Sequence, residues 1–476
     1  MFQETRGLDP AVSLGSGTTG GTELAAIYDT LARFNPDSAK YEPRLATSFE
    51  PNADASEWTV KLRSGVRFGN GDPFTAGAVK ASIARHQDPA SASPQRQLSL
   101  AIADMQVLDD LTIVFKLAQP WRSFPYLLAS EVGMIVNPNV LAQLGKDAFN
   151  KLPKGAGAGP YEPVRFAPAE EIVLNAKTDY WGGPVCVQRL RFVVVTGADA
   201  TYDAVKVGTV NVGFVRDAGV LARARADKAN LYTAQSAGGG AILINAGVKG
   251  SVTPGTDMRI RQAVMHALDP KAIDDRVFDS AGVPTSALFP SSSPLATSVP
   301  GPAYDADKSR MLVQQVKSEG KWDGSIRLAC SQAQTSRGQI FETLLNAVGF
   351  KVKVEYVQAV TALVIGTPNY DLACWGFAID EGAPNVNLAQ FESKSATNRT
   401  GYSDPAMDAA LAKVRLAGSQ SDLKAALSEV QKVWNDTAPS VIYSAVEQAV
   451  AWGSKVKGLT FGLATTVLFD RAYIAS

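Results

Sequence analysis

The stretch IRLACSQAQTSRGQIFETLLNAVGFKVKVEYV, residues 326–357, decides the fold class of this 476-residue chain. An apolar run typical of a strand precedes a helical pattern, which is followed by a second strand-like run. A third strand-like run, YDLACWGF, follows at residues 370–377. Strands and helices that alternate in this way indicate a mostly parallel α/β sheet, so we predict an α/β fold for the second half of the chain.

Helical patterns flank this stretch on both sides. Before it, Ile260, Val264 and Leu268 share one helical face, and a second helix begins at Asp269-Pro270. After it, two amphipathic helices are predicted, the first of them capped by Ser403.

The first half of the chain has the signals of strands and hairpins. Alternating apolar residues at 58, 60 and 62 predict a strand, and Thr75 is the expected N-cap of the next helix. Residues 106–120 read as a hairpin that turns at Asp109-Asp110. Residues 171–197 predict two more strands, and the second is apolar enough to be central in a sheet.

Composition excludes several classes of protein. The length predicts two or three packing units. Lys plus Arg and Asp plus Glu both number 46 with no long run of one sign, which argues against binding nucleic acid or an anionic membrane. No apolar run is long enough to span a membrane. The start, MFQETRGLDP, lacks the charged-then-apolar pattern of a signal peptide, so we expect either a cytoplasmic protein or a processed or recombinant form.

Cysteines and histidines are few and widely spaced. Cys186, Cys330 and Cys374 form no CxxC motif, which disfavours a zinc or redox site. Cys330 and Cys374 each end a strand-like run, and we expect buried free thiols there. His86 and His266 are too far apart in sequence for a ligand pair, and His266 lies in an apolar helical pattern typical of a packed core histidine.

GSGTTG, residues 15–20, matches the GxGxxG pattern of dinucleotide-binding proteins. That fold needs a strong apolar strand immediately before the glycines, and the preceding residues have only a weak strand signal. A cytoplasmic NAD-dependent enzyme is therefore the alternative from a different class, and this motif is its only support. The other interpretations are a plain surface loop or a loop that brings Thr18, Thr19 and backbone N–H groups to a ligand.

Two adjacent carboxylates, Asp380 and Glu381, follow the apolar run that contains Trp375 and Phe377. Ligands collect at the carboxyl ends of strands in open α/β sheets, which favours a binding site. Adjacent strand residues point to opposite faces, so the two acids are poorly placed for general acid/base catalysis. The alternative is that Asp380 only caps the turn that follows it.

Three segments together resemble the family 5 extracytoplasmic solute-binding proteins of ABC importers, the dipeptide, oligopeptide and nickel-binding group. They are YEPRLATSFEPNADASEWTVKLRSGVRFGNGDPFTAGAVKASI (residues 41–83), GAGAGPYEPVRFAPAEEIVLNAKTDYWGG (155–183) and DMRIRQAVMHALDPKAI (257–273). The likeness runs in order over essentially the whole chain. It departs from the family's usual pattern in small ways, at FGNGDPF and GAGAGPY, both outside the ligand site.

The resemblance implies a two-lobed periplasmic-binding-protein (flytrap) fold with a discontinuous, enlarged first lobe. We expect lobe I at residues 1–238, with a subdomain at about 40–165, and lobe II at residues 239–446. Residues 447–476 would return to lobe I. The hinge would lie near residues 236–247 and 439–449.

The resemblance also implies a ligand site. Asp380 matches the position at which peptide-binding members hold the ligand's α-amino group, and Trp375 and Phe377 would wall the pocket. From the first lobe, Glu131 and Met134 match the family's cleft-lining segment, although Glu131 could instead be a solvated charge. Thr18 and Thr19 complete the predicted set, as hydrogen-bond donors from the glycine-rich loop.

The implied function is substrate capture for an ABC uptake transporter, without catalysis. A peptide or amine-bearing peptide-like solute is expected, with a sugar, opine-like compound or other small metabolite as the alternative. Nickel is disfavoured because no histidine falls near the cleft segments. We expect no cofactor or metal, no nucleic acid partner, a monomer, an ABC permease as membrane partner, and a periplasmic or extracytoplasmic location with a lipid anchor left open.

Overall fold

The computed structural model describes residues 5–13 and 20–476 of the chain. The chain divides into two compact units. Unit 1 consists of residues 1–234 and 448–476, and unit 2 consists of residues 235–447. Strands that connect the two units occur at both crossings.

The described residues form the following helices and strands. The helices are α1 (Thr22–Tyr28), α2 (Ala76–Gln87), α3 (Arg96–Ser99), α4 (Pro125–Ala129), α5 (Pro138–Lys151), α6 (Ala198–Lys206), α7 (Ala218–Ala226), α8 (Met258–Ala267), α9 (Pro270–Val277), α10 (Ala306–Ser318), α11 (Thr335–Ala347), α12 (Pro384–Leu388), α13 (Pro405–Leu416) and α14 (Gln420–Thr437). The strands are β1 (Ala32–Asn35), β2 (Lys40–Pro43), β3 (Ala46–Pro51), β4 (Glu57–Leu62), β5 (Ile102–Asp109), β6 (Thr112–Leu117), β7 (Tyr161–Ala167), β8 (Glu171–Ala176), β9 (Arg189–Val193), β10 (Val212–Val215), β11 (Asn230–Ile244), β12 (Val283–Pro284), β13 (Ser325–Ser331), β14 (Lys351–Val357), β15 (Leu372–Trp375), β16 (Ser440–Trp452), β17 (Val456–Lys457), β18 (Thr460–Phe461), β19 (Val467–Leu468) and β20 (Tyr473–Ile474).

Unit 1 contains an antiparallel sheet in the order β3-β4-β6-β5. The alternation that predicted β4 is confirmed, because Trp58, Val60 and Leu62 are all buried. The predicted hairpin is also confirmed, with β5 ending at Asp109 opposite the start of β6. Helix α2 begins where it was predicted to begin, and the hydroxyl of its N-cap, Thr75, accepts a hydrogen bond from an N–H in the first turn.

A second sheet of unit 1 has the order β7-β8-β9. Residues 171–197 contain the two predicted strands, β8 and β9. The prediction that the second of them is central was wrong, because β9 lies at the edge and β8 is the central strand. The physical reason is that the apolar run extends past the end of β9, while Arg189 and Arg191 within the strand are exposed to solvent. Exposed charges of this kind are common on edge strands.

Unit 2 is built on a mixed sheet in the order β16-β11-β15-β13-β14, with β12 on β16. The parallel pairing that the opening stretch predicted is confirmed, because β13 is parallel to both β14 and β15. Strand β15 is antiparallel to β11, which makes the sheet mixed. In unit 1, the last residues of β16 pair with β10.

Both faces of the unit 2 sheet are covered. Leu372 and Cys374 of β15 pack in one apolar cluster with residues of α8, α10 and α11. Ala373 and Trp375 contact a second cluster, which contains residues of α13 and α14. This alternation follows from the two-residue period of a strand, so each position of β15 has a defined side of the sheet.

The prediction of free thiols at Cys330 and Cys374 was wrong, because the two residues form a disulfide. Cys330 lies near the end of β13, and Cys374 lies at the neighbouring position of the parallel strand β15, with their Cα atoms 4.9 Å apart. Sequence spacing could not reveal this neighbourhood, since 44 residues separate the two cysteines. Cys186 is exposed and unpaired.

The predicted cap of α13 was wrong by one residue. Asp404, not Ser403, accepts hydrogen bonds from the backbone N–H groups of Ala406 and Met407. Pro405 fixes this register, because proline occupies the first helical position and leaves the preceding residue as N-cap. The prediction for His266 is confirmed, since its ring is buried and hydrogen-bonds to a backbone carbonyl.

Candidate functional site

The candidate site in unit 2 is the segment that follows β15. Beyond the last strand residue, the backbone continues alongside a glycine-rich part of β11. The N–H of Phe377 donates to the carbonyl of Gly238 at 2.7 Å, and the N–H of Ile379 donates to the carbonyl of Ala237 at 2.8 Å. These bonds fix the chain direction immediately before Asp380.

Glycine allows this close approach of two backbones. A Cβ atom on Gly376 would lie 2.4 Å from the carbonyl oxygen of Gly239, closer than real Cβ atoms come. Gly238 has a φ of 61°, in the left-handed region that favours glycine. The run of three glycines at 238–240 therefore serves the geometry of the site as well as that of the strand.

The two aromatic residues of the segment differ in their exposure. Phe377 is buried and contacts Phe391 and Trp434 edge-to-face, with ring centroids 5.1 and 6.0 Å away. Trp375 is half-buried against the same cluster. Phe377 therefore packs in the core, whereas part of the Trp375 side chain stays accessible to solvent.

Asp380 caps the turn after the segment, but its charge has no counter-ion. One carboxylate oxygen accepts a hydrogen bond from the N–H of Gly382 at 2.8 Å. Burial raises the pKa of Asp380 above its ordinary value, and the Gly382 hydrogen bond only opposes this effect. Within the described part of the chain, no cationic side chain pairs with this carboxylate. The turn-capping interpretation is thus correct in geometry, yet it leaves the negative charge without a partner.

Glu381 adds a second negative charge next to the first. Its carboxylate accepts a hydrogen bond from the hydroxyl of Ser293 at 2.5 Å. Burial raises the pKa of Glu381, and the neighbouring charge of Asp380 raises it further, against the effect of Ser293. Two half-buried acids with raised pKa values create a negative potential that a protonated amine would relieve.

Two of the predicted residues of unit 1, Glu131 and Met134, lie close together in the chain, and both are buried. Glu131 begins a short 3-10 helix, Glu131–Gly133, and accepts a hydrogen bond from the side-chain amide of Gln95 at 2.9 Å. Its exposed fraction is 5%, so it is not a solvated surface charge. Met134 follows directly and packs in the apolar core of unit 1. Thr18 and Thr19 lie outside the described residues.

The sequence reasoning missed two polar residues of the site. Ser293 binds the Glu381 carboxylate, and the side chain of Asn387 accepts a hydrogen bond from the N–H of Asp380 at 3.4 Å. Ser293 lies in a Pro/Ser-rich loop far from the acids in sequence, so no local pattern connects them. Asn387 gave only a weak signal, as an amide within the short helix α12 that follows the acid pair.

The described residues offer little that would support dinucleotide binding, metal binding or a membrane span. Residues 5–13 form turns and bends, so no strand of the kind that a dinucleotide fold requires is seen there before α1. A search of the described ranges finds no group of His, Cys, Asp and Glu that could hold a metal ion. Among the helices described, none is long and apolar enough to cross a membrane.

Comparison with known proteins gives a family and a set of relatives. Residues 40–399 match the family model described as bacterial extracellular solute-binding proteins, family 5 Middle. Di/tripeptide-binding protein 2 of Pseudomonas aeruginosa (strain UCBPP-PA14) is 25% identical, over 91% of this chain and 86% of that protein. The probable D,D-dipeptide-binding periplasmic protein DdpA of Escherichia coli (strain K12) is 24% identical, over 95% of this chain and 89% of that protein.

The fold also matches a solved structure over its whole length. The periplasmic binding protein DppA from Helicobacter pylori, solved in complex with the peptide STSA, superposes with a TM-score of 0.79. The match covers 100% of this chain and 97% of that one, at 22% sequence identity. At this identity the likeness is one of fold.

Proposed function

The chain belongs to the bacterial extracellular solute-binding proteins of family 5, and on this premise we propose that it captures a peptide or amine-bearing peptide-like solute. It serves as the substrate-binding component of an ABC uptake transporter and delivers the solute to a membrane permease. Units 1 and 2 act as the two lobes that close on the ligand. The names of the two relatives, which refer to dipeptides and tripeptides, support this ligand class.

The observation that carries the proposal is the unpaired carboxylate of Asp380. A half-buried charge without a counter-ion is unfavourable, and the pKa of this group is raised accordingly. A protonated α-amino group is the partner that would offset this effect, because a charge-assisted hydrogen bond to a carboxylate is about twice as strong as a neutral one. Glu381 increases the attraction for a cation at the same place.

The disulfide supports an extracytoplasmic location. Disulfides such as Cys330–Cys374 persist in oxidising compartments and are rare where thiols are kept reduced. The periplasm or the outer face of the membrane therefore fits this chain, and a lipid anchor is compatible with either. In this setting the protein acts as a monomer and needs no cofactor.

Solute capture accounts for the site better than catalysis does. Burial raises the pKa of Asp380 and of Glu381 in the same direction, whereas a general acid and a general base need environments that push their pKa values apart. The protein is therefore a binding protein and not an enzyme. A sugar, an opine-like compound or another metabolite without an amine remains the alternative ligand, and the test below distinguishes it.

Replacing Asp380 by asparagine tests the proposal. The ligand is first identified by mass spectrometry of the compound that co-purifies with the protein, and its affinity is then measured by calorimetry. Asp380→Asn keeps the turn-capping oxygen and removes the charge, so the Kd for an amine-bearing ligand should rise at least tenfold. Truncation of a buried charge pair typically costs about 2–5 kcal/mol, which makes a tenfold change a lower bound.

Asp436→Asn is the matched control, because it removes one negative charge from an exposed position of unit 2. It should change neither affinity nor melting temperature. An unchanged Kd for Asp380→Asn with an amine-bearing ligand would show that the carboxylate only caps the turn. A co-purifying compound without an amine would favour the alternative ligand class.

A further inference from the structure

Unit 1 contains a cavity that the proposed function does not use. It has a volume of about 400 Å³ and is formed by residues of α1, β9, β10 and β16 together with the C-terminal strands β17, β19 and β20. This volume is within the range of small-molecule sites. Every residue that lines it belongs to unit 1, whereas Asp380 belongs to unit 2.

A buried carboxylate is the polar group of this cavity. Glu23, the second residue of α1, lines the cavity and has an exposed fraction of only 2%. Its Oε2 atom is buried and lacks a hydrogen-bond partner among the residues that the structure describes. Burial raises the pKa of Glu23 to about 6, although a hydrogen bond from its own backbone N–H and a nearby positive charge act in the opposite direction.

The walls around this carboxylate are mainly apolar. Phe192, Phe214 and Phe469 contribute aromatic surface, and Val450 and Val467 contribute aliphatic surface. An apolar wall favours a ligand body of the same character, because burial of apolar area is worth about 25 cal/mol per Å². The ligand that satisfies both parts of the cavity has an apolar body and a cationic group.

Two arginines at the solvent side of the cavity do not change this conclusion. Arg191 forms an ion pair with Glu171 at 2.7 Å, so its charge is already compensated. Arg189 is exposed, and water and salt screen its charge. Neither arginine hydrogen-bonds to Glu23, whose Oε2 remains without a partner in the described residues.

We propose that this cavity is a second ligand site of the protein, which takes a small primary amine with an apolar body. The amine donates a charge-assisted hydrogen bond to Oε2 of Glu23, and the apolar body contacts the phenylalanine and valine side chains. No covalent step is involved. A buried carboxylate oxygen without a hydrogen-bond donor is unfavourable in the free protein, and the hydrogen bond from the amine reduces that penalty.

The test uses phenethylamine as the probe and 2-phenylethanol as its neutral counterpart. Calorimetric titrations at pH 7.5 compare the full-length wild type with Glu23→Gln. The Kd for phenethylamine should rise at least tenfold in Glu23→Gln, whereas the Kd for 2-phenylethanol should stay within twofold. Glu170→Gln is the matched control, since it removes an exposed charge from unit 1, and it should leave both Kd values unchanged.

A second variant and a second readout locate the site. Val212→Phe adds bulk to a residue that lines the cavity and should abolish phenethylamine binding without touching Glu23. Hydrogen exchange should show that the amine protects residues 189–193 and 212–215. If the amine instead protects residues 376–382, or if neither variant changes its Kd, the cavity is not its site and the proposal is wrong. Peptide capture through Asp380 is independent of all these outcomes.

Discussion

At the level of single residues, two buried carboxylates stand out, Asp380 and Glu23, and neither forms an ion pair with a cationic side chain of the described residues. Asp380 at least caps a turn through the N–H of Gly382, whereas Oε2 of Glu23 has no partner in the described residues. Structural carboxylates normally gain stability from hydrogen bonds or ion pairs, which lower their pKa. Burial raises the pKa of both groups, which means that their charged forms are disfavoured in the folded chain.

The pH dependence of stability should reveal the burial of Glu23. Its pKa rises from an ordinary value of 4.5 to about 6 in the folded chain, so the folded state binds the proton more tightly than the unfolded state does. Stability from this group is therefore present below pH 4.5 and is lost as the pH rises to about 6, by up to about 2 kcal/mol. Glu23→Gln should melt at a higher temperature than the wild type at pH 7.5 and at the same temperature at pH 4.

Differential scanning calorimetry measures the melting temperatures of the wild type and Glu23→Gln at the two pH values. Glu170→Gln is the control for the loss of a negative charge. A lower melting temperature for Glu23→Gln at pH 7.5 would contradict this prediction. It would mean that the charged carboxylate stabilises the folded chain.

At the level of the secondary-structure elements, the position of the segment after β15 is set mainly by the close approach of its backbone to the backbone of β11. Gly376→Ala places a Cβ atom 2.4 Å from a backbone carbonyl, so residues 376–379 must move away from β11. We expect a lower melting temperature and a weaker affinity, because Asp380 moves with the segment. Gly366→Ala is the matched control, since its Cβ would meet open space. Equal behaviour of the two variants in thermal melting and calorimetry would contradict the prediction.

The disulfide between β13 and β15 should contribute strongly to the stability of unit 2. Closing a loop of 44 residues corresponds to about 4 kcal/mol in the chain-entropy model. Reduction by dithiothreitol should therefore lower the melting temperature of the wild type. The control variant Cys186→Ser should show the same fall in melting temperature, because it keeps the disulfide. The double variant Cys330→Ala/Cys374→Ala should melt like the reduced protein and should not respond to the reductant. A wild type that is insensitive to reduction would refute the assignment.

Elements with a strong local pattern could be predicted from the sequence. The alternation at β4, the cap at Thr75 and the series β13, α11 and β14 depend on neighbours in the chain, and the structure has them as predicted. The failures depend on distant contacts. The position of β9 at an edge, the partner of Cys330 and the contact of Ser293 with Glu381 are set by tertiary neighbours that no local pattern contains.

For the whole molecule, the family could be predicted from three segments that resemble it and occur in the expected order. The match of the family model to residues 40–399 confirms this prediction. The residues that contact the ligand are harder to predict from the sequence. The segment 375–381 could be proposed from its acids and aromatics, but whether each side chain faces core or solvent needed coordinates, as the burial of Phe377 illustrates. The cavity of Glu23 had no signal in the sequence, because its walls come from strands between residues 187 and 474.

A single calorimetric comparison can test whether the protein captures a peptide through its protonated α-amino group. The wild type is titrated with a peptide that stabilises it and with the N-acetylated form of the same peptide, and the solutions are checked afterwards by mass spectrometry. Acetylation removes the charge that Asp380 is proposed to bind, so the Kd should rise at least tenfold while neither peptide is converted. Equal affinity for the two forms, or chemical conversion of the bound peptide, would contradict the claim.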